Sequence, residues 1–152
     1  AEPLDESLRK IYTGLVSLSI DEMAGERMTV ALEKNDQENE QDCFSDYTLK
    51  GMVGNQIGIQ NVYFGQYKKT KGPGIHDIVT AIDPALAKQT KAQIEKAMKT
   101  VKAIPGTFDQ VIAEKANGKG RKAAAAAITA FEDQARVIAK SGLDMGLVLN
   151  IQ

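Results

Sequence analysis

The sequence predicts an all-α fold, an antiparallel bundle of four main helices joined by short helices and turns, in a single domain over residues 1–152. Three observations carry this. Apolar residues recur at three- and four-residue steps along most of the chain, and the period-two alternation of strands is almost absent. The joints between the periodic runs also carry helix stops and starts, such as Lys71-Gly72-Pro73-Gly74 and Asp83-Pro84.

The first helix opens at Leu4 and places Leu8, Ile11, Leu15 and Leu18 on one stripe. Its pattern continues to about Leu32, with Gly14 and Gly25 as weak points. Residues 34–45 are polar and acidic, which makes them a connection. Ser45 or Asp46 is the expected N-cap of the second helix, whose apolar face carries Leu49, Met52, Val53, Gln56, Gln60, Tyr63, Phe64 and Tyr67. A short helix spans His76 to Ile82, and Asp83-Pro84 supplies the N-cap and first position of the next. Leu86, Ile94, Ala97, Met98, Val101 and Ile104 mark that helix, which stops at Pro105. Phe108, Val111 and Ile112 suggest another short helix, closed by Asn117-Gly118-Lys119-Gly120. The last long helix is expected from about Arg121 to Lys140, with Gly142 as the residue just past its end. The tail from Leu143 to Ile151 is apolar enough to pack.

Charge and composition exclude several classes of function. With 19 basic and 20 acidic residues the net charge is −1, which gives no footprint for a nucleic-acid partner. Acidic residues crowd Asp21 to Asp46, and the lysines that dominate from Lys68 onward read as solvated helix faces. Cys43 is the only cysteine, so an intrachain disulfide is impossible, and its expected role is that of a small buried hydrophobe. No apolar run approaches the roughly 20 residues of a transmembrane helix. The opening Ala1-Glu2-Pro3 has no signal-peptide character, as expected of a cytoplasmic protein, a processed chain or a fragment.

Two features inside residues 22–67 stand apart. At 100° per residue, Glu22, Glu26, Thr29 and Glu33 continue the line of Leu4, Leu8, Ile11, Leu15 and Leu18, all within about 40°. If the helix is straight, carboxylates point where leucines pointed before, and they need a cation or strong donors; Arg27 is the nearest counter-charge. The other reading rotates the buried face near Gly25 onto Met23, Val30 and Ala31 and leaves the glutamates in water. The second feature is a ridge of Gly51, Gly54, Gly58 and Gly65, opposite the apolar face of the second helix. Each interior glycine costs about 1 kcal/mol relative to alanine. The ridge is therefore a candidate docking surface for a neighbouring helix or domain, the alternative being a chance clustering on an exposed face.

Known catalytic constellations are incomplete. A zincin needs HExxH and a di-iron bundle needs Glu-x-x-His pairs, whereas this chain has one histidine, His76. His76 reads as solvent-facing or as a local cap. Asp36, Glu38, Glu40 and Asp42 imitate alternate EF-hand ligands, but Gln41 and Tyr47 stand where that loop needs glycine and glutamate. Ser45 has no histidine base nearby, and Gly118-Lys119-Gly120 is too short for a phosphate loop. No catalytic residue and no metal-ligand set is assigned within the chain.

Several ordered motifs nevertheless match a known family at its spacing. They are Gly25-Glu26-Arg27-Met28, Val30-Ala31-Leu32-Glu33, Asp36-Gln37-Glu38, Cys43-Phe44-Ser45-Asp46 and Gly58-Ile59-Gln60-Asn61-Val62-Tyr63. Asp83-Pro84-Ala85-Leu86, Ile104-Pro105 and Phe108-Asp109-Gln110 follow. Together they resemble the C-terminal half of the imelysin family, also called the iron-regulated protein A-like or insulin-cleaving membrane protease family. The resemblance covers most of the chain. It implies an all-helical protein of two bundle-like halves in the bacterial envelope or periplasm, implicated in iron uptake. The family's GxHxxE signature belongs to the N-terminal half and has no counterpart here. Iron or another divalent metal is accordingly implied for the complete protein, with the N-terminal half as partner on the same or a separate chain. Glu26, Arg27, Glu33, Asp36, Ser45 and Asp46 fall at motif positions and become candidates for one wall of a cleft between the halves. The alternatives are a metallopeptidase domain and a purely structural bundle.

Overall fold

In the computed structural model, which describes residues 3–149, the first element is a continuous helical rod of three segments, α, π and α again. The rod comprises α1 (Leu4–Ser17), a π-helical segment (Leu18–Thr29) and α2 (Val30–Lys34), and it ends where Asn35 takes the left-handed conformation at φ 51°. Its buried face differs from the predicted stripe. Leu4 is 76% exposed and Ile11 40% exposed, while Tyr12, Leu15 and Val16 enter the core. Ser19, Met23, Ala24, Met28 and Ala31 continue that buried line. Met23 and Met28 are five residues apart, the repeat of i→i+5 bonding, whereas in an α-helix such positions lie about 140° apart. The acidic line therefore turns away from the core, as in the reading that buries Met23 and Ala31, and Glu26 and Glu33 are exposed.

After a 3₁₀ turn (Gln37–Asn39), α3 (Thr48–Phe64) crosses the molecule. Neither Ser45 nor Asp46 caps it. The N-cap is Tyr47, with no side-chain cap bond, because Asp46 is left-handed at φ 51° and the Ser45 hydroxyl donates to the Asp42 carbonyl. The helix ends at Gly65, φ 63°, so Gly65 belongs to a turn and not to the glycine ridge, and Tyr67 lies beyond the helix. A minimal antiparallel hairpin pairs β1 (Gln66–Tyr67) with β2 (Thr70–Lys71). It was not expected from periodicity, because two-residue strands carry no alternation.

α4 (Ile75–Ile82) and α5 (Pro84–Lys102) follow as expected, and the Asp83 carboxylate accepts from the Leu86 amide at 2.9 Å. α6 (Phe108–Ala113) precedes α7 (Lys119–Asp144), which starts and ends beyond its predicted limits. Glu114 caps its first turn by accepting from the Gly120 and Arg121 amides. Gly142 is not a terminator; it is buried within α7, where an added Cβ would stand 3.0 Å from the Tyr12 ring. The left-handed residue beyond the helix is Gly146.

The rod, α3, α5 and α7 form the all-α bundle, with α7 packed against α5, the π segment and α1. The alanine run makes that position possible: Ala124 and Ala127 are buried with Ala130, Phe131, Ala135 and Ile138, giving α7 a thin face for close approach. Of the tail, Leu147 is buried; Ile151 lies outside the described residues. Cys43 is half-buried and free. No helix among the described residues is long and apolar enough to cross a membrane.

Candidate functional site

The π segment and the loop behind it enclose an open cleft of about 350 Å³, lined by Glu22, Glu26, Arg27, Asn39 and Gln41. Winding with i→i+5 bonds brings residues five apart onto one side. Arg27 Nη2 accordingly donates to Glu22 Oε2 at 2.8 Å, and the Thr29 hydroxyl donates to the Ala24 carbonyl at 2.6 Å. On the facing wall, Asp36 accepts from the Glu38 amide at 3.0 Å and from Asn39 Nδ2 at 2.6 Å. Lys34 Nζ donates to Asn39 Oδ1 at 3.2 Å, so the Asn39 carboxamide is held from both ends.

Two of the predicted residues, Glu26 and Arg27, thus share the cleft, and Asp36 acts from behind by positioning Asn39. Glu33 and Ser45 are exposed and do not line it. Asp46 points elsewhere, into a carboxylate cluster with Glu40 and Asp109. Of the glycines, Gly54 and Gly58 face open space with nothing within 4 Å of an added Cβ, and Gly51 would meet Asp42 Oδ2 at 3.3 Å. Asn39 and Gln41 were missed as cleft residues, because only the fold of the loop turns them back toward the π segment.

Arg27 neutralises Glu22, which leaves Glu26 as the negative group at the exposed rim. Two carboxylates, one already engaged, with two carboxamides and a guanidinium can hold a polar or cationic ligand from one side. They do not complete a metal shell, since iron and zinc sites require several unengaged donors. Nor does the cleft hold a nucleophile with a base.

His76 departs from expectation in a second cleft, shared with Gln60, Phe64, Gln66, Lys71, Lys91 and Glu95. It is neither solvent-facing nor a cap: it is half-buried, its ring centroid 5.4 Å from that of Phe64 and 5.7 Å from that of Tyr63. The cap of α4 is formed by Asp77, whose carboxylate accepts from the Gly74 amide.

Comparison with known proteins agrees with this architecture. The family model described as Imelysin matches residues 2–138. The fold is similar to the crystal structure of an imelysin peptidase from Bacteroides ovatus, with a TM-score of 0.70 and 17% sequence identity. That match covers 95% of this chain and 40% of the other, so the chain spans less than half the length of that solved relative. A comparison with curated proteins gives no match. With the family model matched along nearly the whole chain, the protein belongs to the imelysin family.

Proposed function

We propose that this chain is a binding domain of an imelysin-like protein of the bacterial envelope or periplasm that serves iron uptake. In this reading it contributes one wall of a ligand site, and the GxHxxE-bearing N-terminal half contributes the other. The observation that carries the proposal is the one-sided cleft, in which Glu26 stands at an open rim beside the Arg27–Glu22 pair. Coverage of only 40% of the solved relative supports a missing complementary part. So do exposed apolar and bare surfaces elsewhere on the chain. Phe44 is 97% exposed, and Gly54 and Gly58 present bare helix beside exposed Ile57 and Val62, as suits a face that another domain covers.

The test compares iron binding by this chain, by an N-terminal half, and by the two combined, using calorimetry with ferric and ferrous ions. The combined form is expected to bind at least about tenfold more tightly than either part, a difference of about 1.4 kcal/mol. Glu26→Gln in the combined form is expected to remove most of that gain. The reading fails if the gain is absent, or if Glu26→Gln leaves it intact.

A further inference from the structure

Glu40 stands apart from the other acidic residues among the described residues. It is 4% exposed, and both of its carboxylate oxygens are buried without a hydrogen-bond partner. A buried carboxylate ordinarily has an arginine, a lysine or several N–H donors around it. The charges that act on Glu40 are instead those of Asp109, Asp46 and Asp42, all of its own sign, and the one donor that bears on it, the Thr48 hydroxyl, forms no hydrogen bond with it. Oxygens of Glu40, Asp46 and Asp109 all lie within 4.8 Å of one another.

Three parts of the chain meet here. Glu40 follows the 3₁₀ turn, left-handed Asp46 precedes α3, and Asp109 lies in the first turn of α6. The segments are already tied once, since Gln37 Nε2 donates to the Asp109 carbonyl at 3.1 Å. Asp109 is oriented by the Thr107 hydroxyl, which donates to its Oδ1. The burial is graded, with Glu40 at the bottom, Asp109 half-buried and Asp46 at the surface, so the cluster opens to solvent on one side.

We propose that Glu40, Asp46 and Asp109 bind a hard divalent cation of the calcium type. Oxygens on opposite sides of a calcium ion, each at about 2.3–2.6 Å, are separated by about 4.6–5.2 Å, so the observed spacing suits simultaneous ligation. The all-carboxylate donor set, without imidazole or thiolate, disfavours zinc and copper. Water reaching the open side beside Asp46 can complete the coordination number. The cation answers the two unpartnered oxygens of Glu40, and it fastens the loop to α6. Asn39 and Gln41, on either side of Glu40, line the cleft described above, so the same ion holds the loop wall of that cleft in place. The proposal stands independently of what the cleft binds.

Calcium titration of the chain by calorimetry, with thermal unfolding in chelator and in about 5 mM calcium, tests this. One ion per chain is expected, together with a rise in Tm of several degrees. Glu40→Gln, which keeps the shape of the side chain, is expected to weaken binding at least about tenfold and to abolish the calcium-dependent rise. Asp46→Asn, at an exposed left-handed position that asparagine tolerates, is expected to weaken binding without affecting folding. Glu26→Gln is expected to leave calcium affinity unchanged, which separates this site from the cleft. Absence of binding at millimolar calcium overturns the proposal, as does equal affinity in wild type and Glu40→Gln.

Discussion

The side-chain amides of Gln56 and Gln134 face each other inside the core, each donating to the other. Gln56 Nε2 donates to Gln134 Oε1 at 2.5 Å, and Gln134 Nε2 donates to Gln56 Oε1 at 3.1 Å. Gln56 Nε2 also donates to the Ile94 carbonyl, and Gln134 Nε2 to the Ser19 hydroxyl. Ser19 in turn donates to the Leu15 carbonyl, at the junction where α1 passes into π winding. One buried network therefore joins the rod, α3, α5 and α7, and it is satisfied only while both glutamines are present.

Gln134→Ala is accordingly expected to destabilise the chain by about 2–4 kcal/mol. It opens a cavity and strips Gln56 and Ser19 of partners. Urea denaturation measures this, and a loss below about 1 kcal/mol would show that the network contributes little.

Arg121 is expected to behave as a staple. Its guanidinium donates to the Leu32 carbonyl at 2.9 Å, to Asn35 Oδ1 at 2.5 Å and to the Ile112 carbonyl at 2.5 Å. Arg121→Lys keeps the charge but cannot reproduce a fork of three bonds. A loss of about 1–3 kcal/mol is expected, with faster amide exchange near the end of α2 and in α6. Unchanged exchange there would contradict the stapling role.

The glycines divide by position. Gly54→Ala and Gly58→Ala are expected to stabilise the isolated chain by about 0.5–1 kcal/mol each, since an added methyl meets nothing. Gly74→Ala is expected to destabilise it strongly, because the new Cβ collides with the Gly65 amide nitrogen and the Phe64 carbonyl carbon. If Gly54 and Gly58 do face an N-terminal half, the same alanines weaken association with it. Sedimentation of the mixed halves reads that effect separately from stability.

Phe44→Ser is expected to leave the stability of the chain within about 0.5 kcal/mol, since the ring is almost fully exposed. Under the proposed two-part architecture it weakens association with the N-terminal half. Intact association would remove Phe44 from that interface.

Stability without divalent ions is expected to fall as pH rises above the ordinary glutamate value of 4.5. Burial raises the Glu40 carboxyl most; the Thr48 hydroxyl partly opposes this, and the charges of Asp109, Asp46 and Asp42 add to it. A raised folded value means that the native state holds its proton longer than the unfolded chain. The unfolded state therefore binds fewer protons between the two values, and stability declines with pH across that window. Glu40→Gln removes this contribution, and in chelator it is expected to be more stable than wild type at neutral pH. Denaturation midpoints across pH 4–8 check the sign, and an identical slope in the variant would locate the effect elsewhere.

The all-α class, the order of helices and most of their limits follow from the sequence by itself, because those signals are local. Asp83 and Pro84 start α5 with a cap bond three residues away, and the alanine run gives α7 both helix propensity and a thin face. Gln56 already lies on the predicted apolar face, although its partner is 78 residues away. Tertiary structure decided the rest, where local rules were overridden or silent. The turn angle of 100° per residue put Glu22 and Glu26 in line with leucines, but packing against α7 accompanies i→i+5 winding, which buries Met23 and Met28 and pairs Glu22 with Arg27. Arg121 was indistinguishable from solvated basic residues until its acceptors came from segments up to 89 positions away. Glu40 read as one member of an acidic loop. Its burial against Asp109 exists only because the loop folds onto α6, and neither periodicity nor spacing encodes a contact made at that distance along the chain.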